Sequence, residues 1–306
     1  MNTTHGLDNV APEDRGAAVA VGVFDGVHWG HRAIFARLLE VAAENGISSV
    51  ALTFDKHPAE LLAPARAPSY ICTLDQRIEL IHSVGVEHVV VAEFSHELAS
   101  LPHEAFFDEV LRGKLAARHV VVGSNFRFGK DRAGDVRYLS SVGPAHGVGV
   151  SVVSSVIIAG GPVSSTRVRA LIGRGDVEDA AKLLGHRFAL RGVVVQGRRV
   201  GRQIGFPTAN IQTAPRQLLP AHGVYAVEST IGKSTYQGVC NIGRKPTFGD
   251  LAETVEVHLM GFEGEIYGRT LDVVFLRRLR DEMTFETPDK LAEQIRRDLE
   301  RARGMR

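Results

Sequence analysis

Between Ala17 and Gly160, short apolar runs alternate with segments whose apolar residues recur every three or four positions. That is the pattern of strands followed by helices. Ala18–Phe24 reads as a first strand. Gly30–Asn45 follows as a helix with Ile34, Leu38 and Val41 on one face and Gly46 as its stop signal. Ser49–Phe54 is the next strand, and Leu74, Ile78 and Ile81 mark the next helix. His88–Ala92 and His119–Gly123 are further strands, separated by a helix around Phe106, Val110 and Leu111. Val148–Ile158 gives a fifth strand and Ser165–Ile172 another helix. Five strand–helix alternations predict a parallel sheet with helices on both faces. Ligands of such sheets lie outside the carboxyl ends of the strands.

The pattern changes after Gly185. Phe188–Val195, Gly223–Glu228, Tyr236–Ile242, Val255–Met260 and Leu271–Leu276 are short β-rich runs separated by Gly and Pro turns. They predict an antiparallel sheet or small barrel. A final helix spans Pro288–Arg303, with Thr287 as N-cap and Pro288 in its first position. Asp176–Leu184 reads as a short closing helix, so two domains are expected, 1–185 and 186–306.

Composition narrows the function. The 306 residues suit two cores rather than one. Thirty-six Lys+Arg against 35 Asp+Glu leave a formal charge of +1, so there is no basic footprint for nucleic acid. Cys72 and Cys240 are isolated thiols with neither disulfide nor zinc spacing. The polar, acidic N-terminus has no secretory h-region, and no apolar run reaches membrane-spanning length. A cytoplasmic protein is expected. Oligomeric state is not legible.

Two stretches carry chemistry. In the first, the leading strand runs into Gly22-Val23-Phe24-Asp25-Gly26-Val27-His28-Trp29-Gly30-His31 at the start of a helix. Gly26 and Gly30 permit close backbone approach, the helix start offers free N–H groups to an anion, and imidazole N–H groups add donors for nucleotide phosphates. The bland alternative is two surface histidines in a Gly-rich loop. Val163-Ser164-Ser165-Thr166-Arg167-Val168-Arg169 is a second phosphate-type signal, or else a plain Ser cap with solvated arginines. In the C-terminal half, the Gly-rich basic loop Gly197–Gly205 runs into Phe206-Pro207-Thr208-Ala209-Asn210. Gly amides suit phosphates, and the Thr208 hydroxyl with the Asn210 carbonyl suits Mg²⁺; a hairpin with a Pro turn is the alternative. Gly232-Lys233-Ser234 is no Walker motif, because Val227 stands where the leading Gly is required.

At these residues the chain resembles the bacterial bifunctional riboflavin kinase/FAD synthetases, over roughly residues 17–300. The resemblance is carried by Gly22–His31, Thr53-Phe54-Asp55-Lys56-His57-Pro58, Val122–Gly129 and Ser164–Arg169 in the first half. In the second half it is carried by Gly197–Asn210, Pro220–Tyr225, Asn241–Phe248, Val255–His258 and Leu279–Glu282 with Phe285. It implies a nucleotidylyltransferase-type α/β domain followed by a six-stranded β-barrel kinase, acting on riboflavin, FMN and ATP with Mg²⁺. By the resemblance, His28 and His31 stabilise the ATP phosphates within a loop that includes Gly22, Phe24 and Gly30, and Ser165, Thr166 and Arg169 close over the pyrophosphate. Phe54, His57, Pro58, Asn125 and Phe128 lie near FMN. In the kinase half, Gly201 and Arg202 hold ATP, Thr208 and Asn210 hold Mg-ATP, Glu256 is the base for the ribityl hydroxyl, and Arg280 and Phe285 lie by the flavin. Three positions depart from the family pattern: Val23 in place of Asn, Lys56 in place of Pro, and Asn125 in place of Asp. Asn125 keeps an acceptor oxygen but lacks the negative charge.

Overall fold

The structure, a computed structural model, describes residues 1–11, 15–197, 201, 205–246 and 251–305. It divides into two compact units, one formed by 1–68 and 74–164 and the other by 69–73 and 165–306.

The first unit is built on a parallel sheet of six strands: β1 (Asn2–His5), β2 (Ala18–Val21), β3 (Ser49–Phe54), β4 (His88–Ala92), β5 (His119–Gly123) and β8 (Gly149–Val153), in the order β1-β4-β3-β2-β5-β8. β2 and β3 are buried along their whole length, as central strands covered on both faces must be. One face packs Val19, Val21, Leu52, Val120 and Val122 with Phe106, Phe107 and Leu111. The other packs Ala20, Ala51, Val89 and Val121 against Ile34, Phe35, Leu38 and Val41 of helix α1 (Trp29–Asn45). Gly46, in the left-handed region at φ 60°, ends α1 as its sequence position requires.

Two expectations need correction here. The polar segment Asn2–His5, which shows no apolar pattern, pairs in parallel with His88–Val91 and forms the edge of the sheet. The expected strand Val148–Ile158 is instead two elements. β8 stops at Val153, and Ile157–Ile158 (β9) turns away to pair with Gly161–Pro162 (β10). Ser154 and Ser155 interrupt the apolar run where the sheet ends. Between β5 and β8 lie the short strands β6 (Arg127–Phe128) and β7 (Gly134–Asp135) and a helix over Val136–Ala145 capped by Asp135.

The second unit is a closed barrel of six antiparallel strands, β11 (Ala189–Val195), β12 (Ala209–Thr213), β13 (Gly223–Ile231), β14 (Ser234–Pro246), β15 (Leu251–Leu259) and β16 (Thr270–Arg280), ordered β11-β12-β15-β14-β13-β16. Val194, Ile211, Tyr225, Cys240, Val257 and Phe275 are buried. On the opposite face Val224, Ala226, Val239, Leu276 and Leu279 form a second cluster with Ala302 and Leu299 of the C-terminal helix (Pro288–Ala302). Thr287 caps that helix through its hydroxyl. The helices Ser165–Arg174 and Val177–Leu184 belong to this unit, with the strap 69–73, whose Tyr70 pairs with Gln217.

Candidate active sites

In the first unit the loops leaving β2, β3 and β5 gather the sequence-derived candidates at the carboxyl ends of the strands. His28 is the N-cap of α1 and is 5% exposed; its Nδ1 accepts from the backbone N–H of His31 at 3.3 Å. An Nδ1 that accepts carries no proton in the neutral ring, so the imidazole proton sits on Nε2. The His28 and His31 rings stack with centroids 3.6 Å apart and planes 15° from parallel, and Phe24 meets His31 edge-on at 5.3 Å.

The backbone here is strained in the service of this arrangement. Phe24 and Val27 have φ of 53° and 38°, unusual for residues with a Cβ. Gly30 lies under His28, and a methyl group there would stand 3.1 Å from His28 Cε1. A Cβ on Gly22 would stand 2.9 Å from the Phe24 ring. Both glycines therefore make room for rings. Beside the histidines, the Arg32 guanidinium lies 5.7 Å from the ring of Trp29, and burial lowers its pKa.

The loop after β3 is equally organised. Thr53 donates to the Val23 carbonyl at 3.0 Å. Asp55 Oδ1 accepts from the N–H groups of Lys56 and of Phe94, two residues past the end of β4. His57 caps the helix Pro58–Leu62, accepting from Ala59 N–H in a reciprocal box with Glu60. Phe54 is buried edge-on to Phe94. Asn125 is exposed on the turn after β5, its Oδ1 near Gly123. Phe128 is 7% exposed and packs among Phe106, Phe126 and Tyr138, so its ring belongs to an aromatic cluster of the core. Ser165, Thr166 and Arg169 lie in the first turns of their helix, counted with the second unit, where Arg169 Nε donates to the Ser69 carbonyl at 2.7 Å.

In the barrel, register assembles the second site. Asn210 of β12 stands directly opposite Glu256 of β15, and Glu256 stands opposite Asn241 of β14. Directly opposed residues project to one face, so the three polar side chains form a row. Val255, Val257 and Leu259 alternate with Glu256 and are buried, which puts the row on the outside of the barrel. Two glycines that precede β12 lie against Asn210 and Thr208. A Cβ on Gly197 would sit 2.0 Å from Asn210 Nδ2, and one on Gly201 would sit 3.3 Å from Thr208 Oγ1. The carboxamide and the hydroxyl thus rest on bare glycine backbone. Their neutral oxygens, with those of phosphates, make a hard donor set that fits Mg²⁺ arriving with a nucleotide. Among the described residues, no cluster of His, Cys, Asp and Glu is suited to hold a metal ion alone. Arg202 lies outside the described residues.

Thr208 also borders a cavity of about 290 Å³ walled by Val194, Val257, Leu259, Phe262 and Tyr267. Arg280 pairs with Asp298 of the C-terminal helix at 2.8 Å, and its guanidinium lies 5.9 Å from the Phe285 ring. Asn241, which opens the stretch Asn241–Phe248, has no site role in the sequence; strand register places it opposite Glu256. Arg77 likewise has none there, its signal being a cation on the apolar face of its helix.

Residues 10–167 match the family described as FAD synthetase, and residues 184–305 match the family described as riboflavin kinase. Along its whole length the chain is 39% identical to the bifunctional riboflavin kinase/FMN adenylyltransferase of Pseudomonas fluorescens, covering 98% of it. It is 36% identical to the protein of that description from Escherichia coli strain K12, over 97% of this chain and 96% of that one. A solved structure described as a macrolide-efflux protein from Streptococcus pneumoniae matches with a TM-score of 0.89 at 32% identity, covering 99% of both chains. Among the described residues, no helix is long and apolar enough to cross a membrane.

Proposed function

The chain belongs to the bacterial family of bifunctional riboflavin kinase/FMN adenylyltransferases, and from that premise we propose that it phosphorylates riboflavin to FMN and then transfers adenylate from ATP to FMN, giving FAD and pyrophosphate. The observation that carries the reading is the pair of preassembled constellations: stacked imidazoles at the start of α1, and the Asn210–Glu256 register pair on the barrel. We assign adenylyl transfer to residues 1–185 and the kinase to 186–306.

In adenylyl transfer, an FMN phosphate oxygen attacks the α-phosphorus of ATP in line and pyrophosphate leaves. Positioning and charge stabilisation supply the rate, and no protein nucleophile is required. Nε2–H of His28 is the donor toward the phosphates, His31 backs it by stacking, and the loop with Gly22, Phe24 and Gly30 admits the nucleotide backbone-first. Ser165, Thr166 and Arg169 take the pyrophosphate. Phe54, His57, Pro58, Asn125 and Phe128 shape the FMN side, Phe128 from within its aromatic cluster.

In the kinase, the ribityl 5′-hydroxyl attacks the γ-phosphorus of ATP and ADP leaves. Glu256 accepts the hydroxyl proton. Gly201 and Arg202 hold the phosphates, and Arg280 and Phe285 flank the flavin. Thr208 and Asn210 would hold Mg²⁺, which when bound neutralises charge building on the phosphate oxygens. A cytoplasmic setting suits the two buried thiols, Cys72 and Cys240, neither of which is in a disulfide.

Incubating the purified chain with riboflavin, ATP and Mg²⁺ and separating products by chromatography tests the reading. FMN followed by FAD is expected. FMN alone would confine catalysis to the barrel, and no flavin conversion would reject both assignments.

A further inference from the structure

Arg77 lies on the helix Leu74–Ser83, three residues after Leu74 and four before Ile81, and therefore on the helix's buried face. It is 1% exposed and ranks among the largest fully enclosed side chains of the chain. Burying a guanidinium carries a desolvation cost that an apolar residue of similar volume avoids, so its presence calls for a reason beyond packing. Its contacts supply one. Nη1 donates to the Phe54 carbonyl at 2.7 Å and reaches Thr53 Oγ1 at 3.4 Å, while Thr53 Oγ1 donates to the Val23 carbonyl at 3.0 Å. Phe54 begins the loop that carries His57 and Pro58. Val23 immediately precedes Phe24, the first of the two strained residues of the histidine loop.

We propose that Arg77 is a positioning residue for adenylyl transfer: through Phe54 and, by way of Thr53, Val23, it fixes the nucleotide loop and the FMN loop relative to each other at the ends of β2 and β3. The inference rests on the adenylyltransferase reading of this site. Arg77 touches neither substrate. Through Nη1 it holds the Phe54 carbonyl directly and, by way of the Thr53 hydroxyl, the Val23 carbonyl, whose chains carry the groups that do; its permanent charge keeps both donations in place. Loss of the guanidinium loosens both loops, so both substrates are affected together. Loss of the Thr53 hydroxyl alone releases only the nucleotide loop.

The test compares Arg77→Met, Arg77→Lys and Thr53→Val in the full chain. FAD formation is measured under saturating and limiting ATP and FMN, and riboflavin phosphorylation by the same polypeptide serves as control. In Arg77→Met, kcat/KM for FAD formation should fall roughly 10- to 100-fold, with KM raised for both ATP and FMN and FMN production unchanged. Arg77→Lys should recover part of the loss. Thr53→Val should raise KM for ATP more than KM for FMN. A folded Arg77→Met with wild-type KM for both substrates overturns the proposal, as does a change confined to the unfolding midpoint. Should Arg77→Met be insoluble, an unchanged KM for ATP in Thr53→Val overturns it equally. An unmodified chain that makes no FAD is a separate result and removes the adenylyltransferase reading instead.

Discussion

The rings of His28 and His31 stack 3.6 Å apart while the backbone N–H of His31 donates to Nδ1 of His28. One imidazole therefore caps the helix through Nδ1 while its face is held against a second ring. His28→Ala should lower FAD formation by at least ~10²-fold, the usual cost of removing a preorganised donor. The lost cap should cost about 1 kcal/mol of stability. FMN formation by the same sample should persist, and chromatography of both products checks this. Loss of both activities in a folded protein would refute the two-site assignment.

Gly197 makes the complementary prediction for the barrel. Its would-be Cβ falls 2.0 Å from Asn210 Nδ2, so Gly197→Ala must displace the carboxamide. Kinase turnover should drop about tenfold or more, with the apparent Mg²⁺ requirement raised, while supplied FMN is still converted to FAD. Asn210→Ala should show the same selectivity with a larger loss. Assaying each step with its own flavin substrate separates the two.

Arg280 and Asp298 predict a stability effect. Asp298 is 1% exposed and accepts from Arg280 and from Gln294. Arg280→Met leaves a carboxylate enclosed without its cation and should destabilise the protein by about 3–5 kcal/mol. Adding Asp298→Leu to that variant should restore most of the loss. Denaturant unfolding of the three variants tests the cycle. Recovery of stability without recovery of kinase activity would show that Arg280 also serves the flavin.

Tyr225 sets an alkaline limit. Burial raises its phenol to about 12, partly opposed by the Arg278 guanidinium, and its hydroxyl donates to the Ala221 carbonyl. The unfolded phenol titrates near ~10, so the folded state holds the proton longer. Its contribution is complete below about pH 10 and is lost as pH rises from there through the folded value. Burial likewise pushes the Cys240 thiol up, with the same sign. Stability should therefore fall on the alkaline side, and Tyr225→Phe should flatten that decline. Urea midpoints measured across the range decide it. Cys240 should resist alkylation until the barrel unfolds.

Much of this was legible in the sequence because the strands of both units are apolar in recognisable ways. Continuous runs mark β2, β3 and β4, buried on both faces, and the first half of β13, while alternation marks β15. β1 was not legible, because a polar edge strand is held by main-chain pairing to His88–Val91 and needs no apolar residues. The break after Val153 was hidden because Val156, Ile157 and Ile158 continue the hydrophobic tone past the end of the sheet. Motifs identified His28, His31, Thr208 and Asn210 individually. They did not reveal that Glu256 faces Asn210, since partnership across strands depends on register. Nor did they reveal Arg77, which stands outside every motif and makes its shorter bond to a main-chain carbonyl, a group with no residue identity to read.

On β15, Glu256 and Val257 are consecutive residues with opposite duties. The first looks outward onto the polar row, and the second is 1% exposed within the closed barrel. A change at Glu256 therefore meets the polar row without entering the packed interior, whereas a change at Val257 is felt by the barrel's packing and by the wall of the cavity beside Thr208.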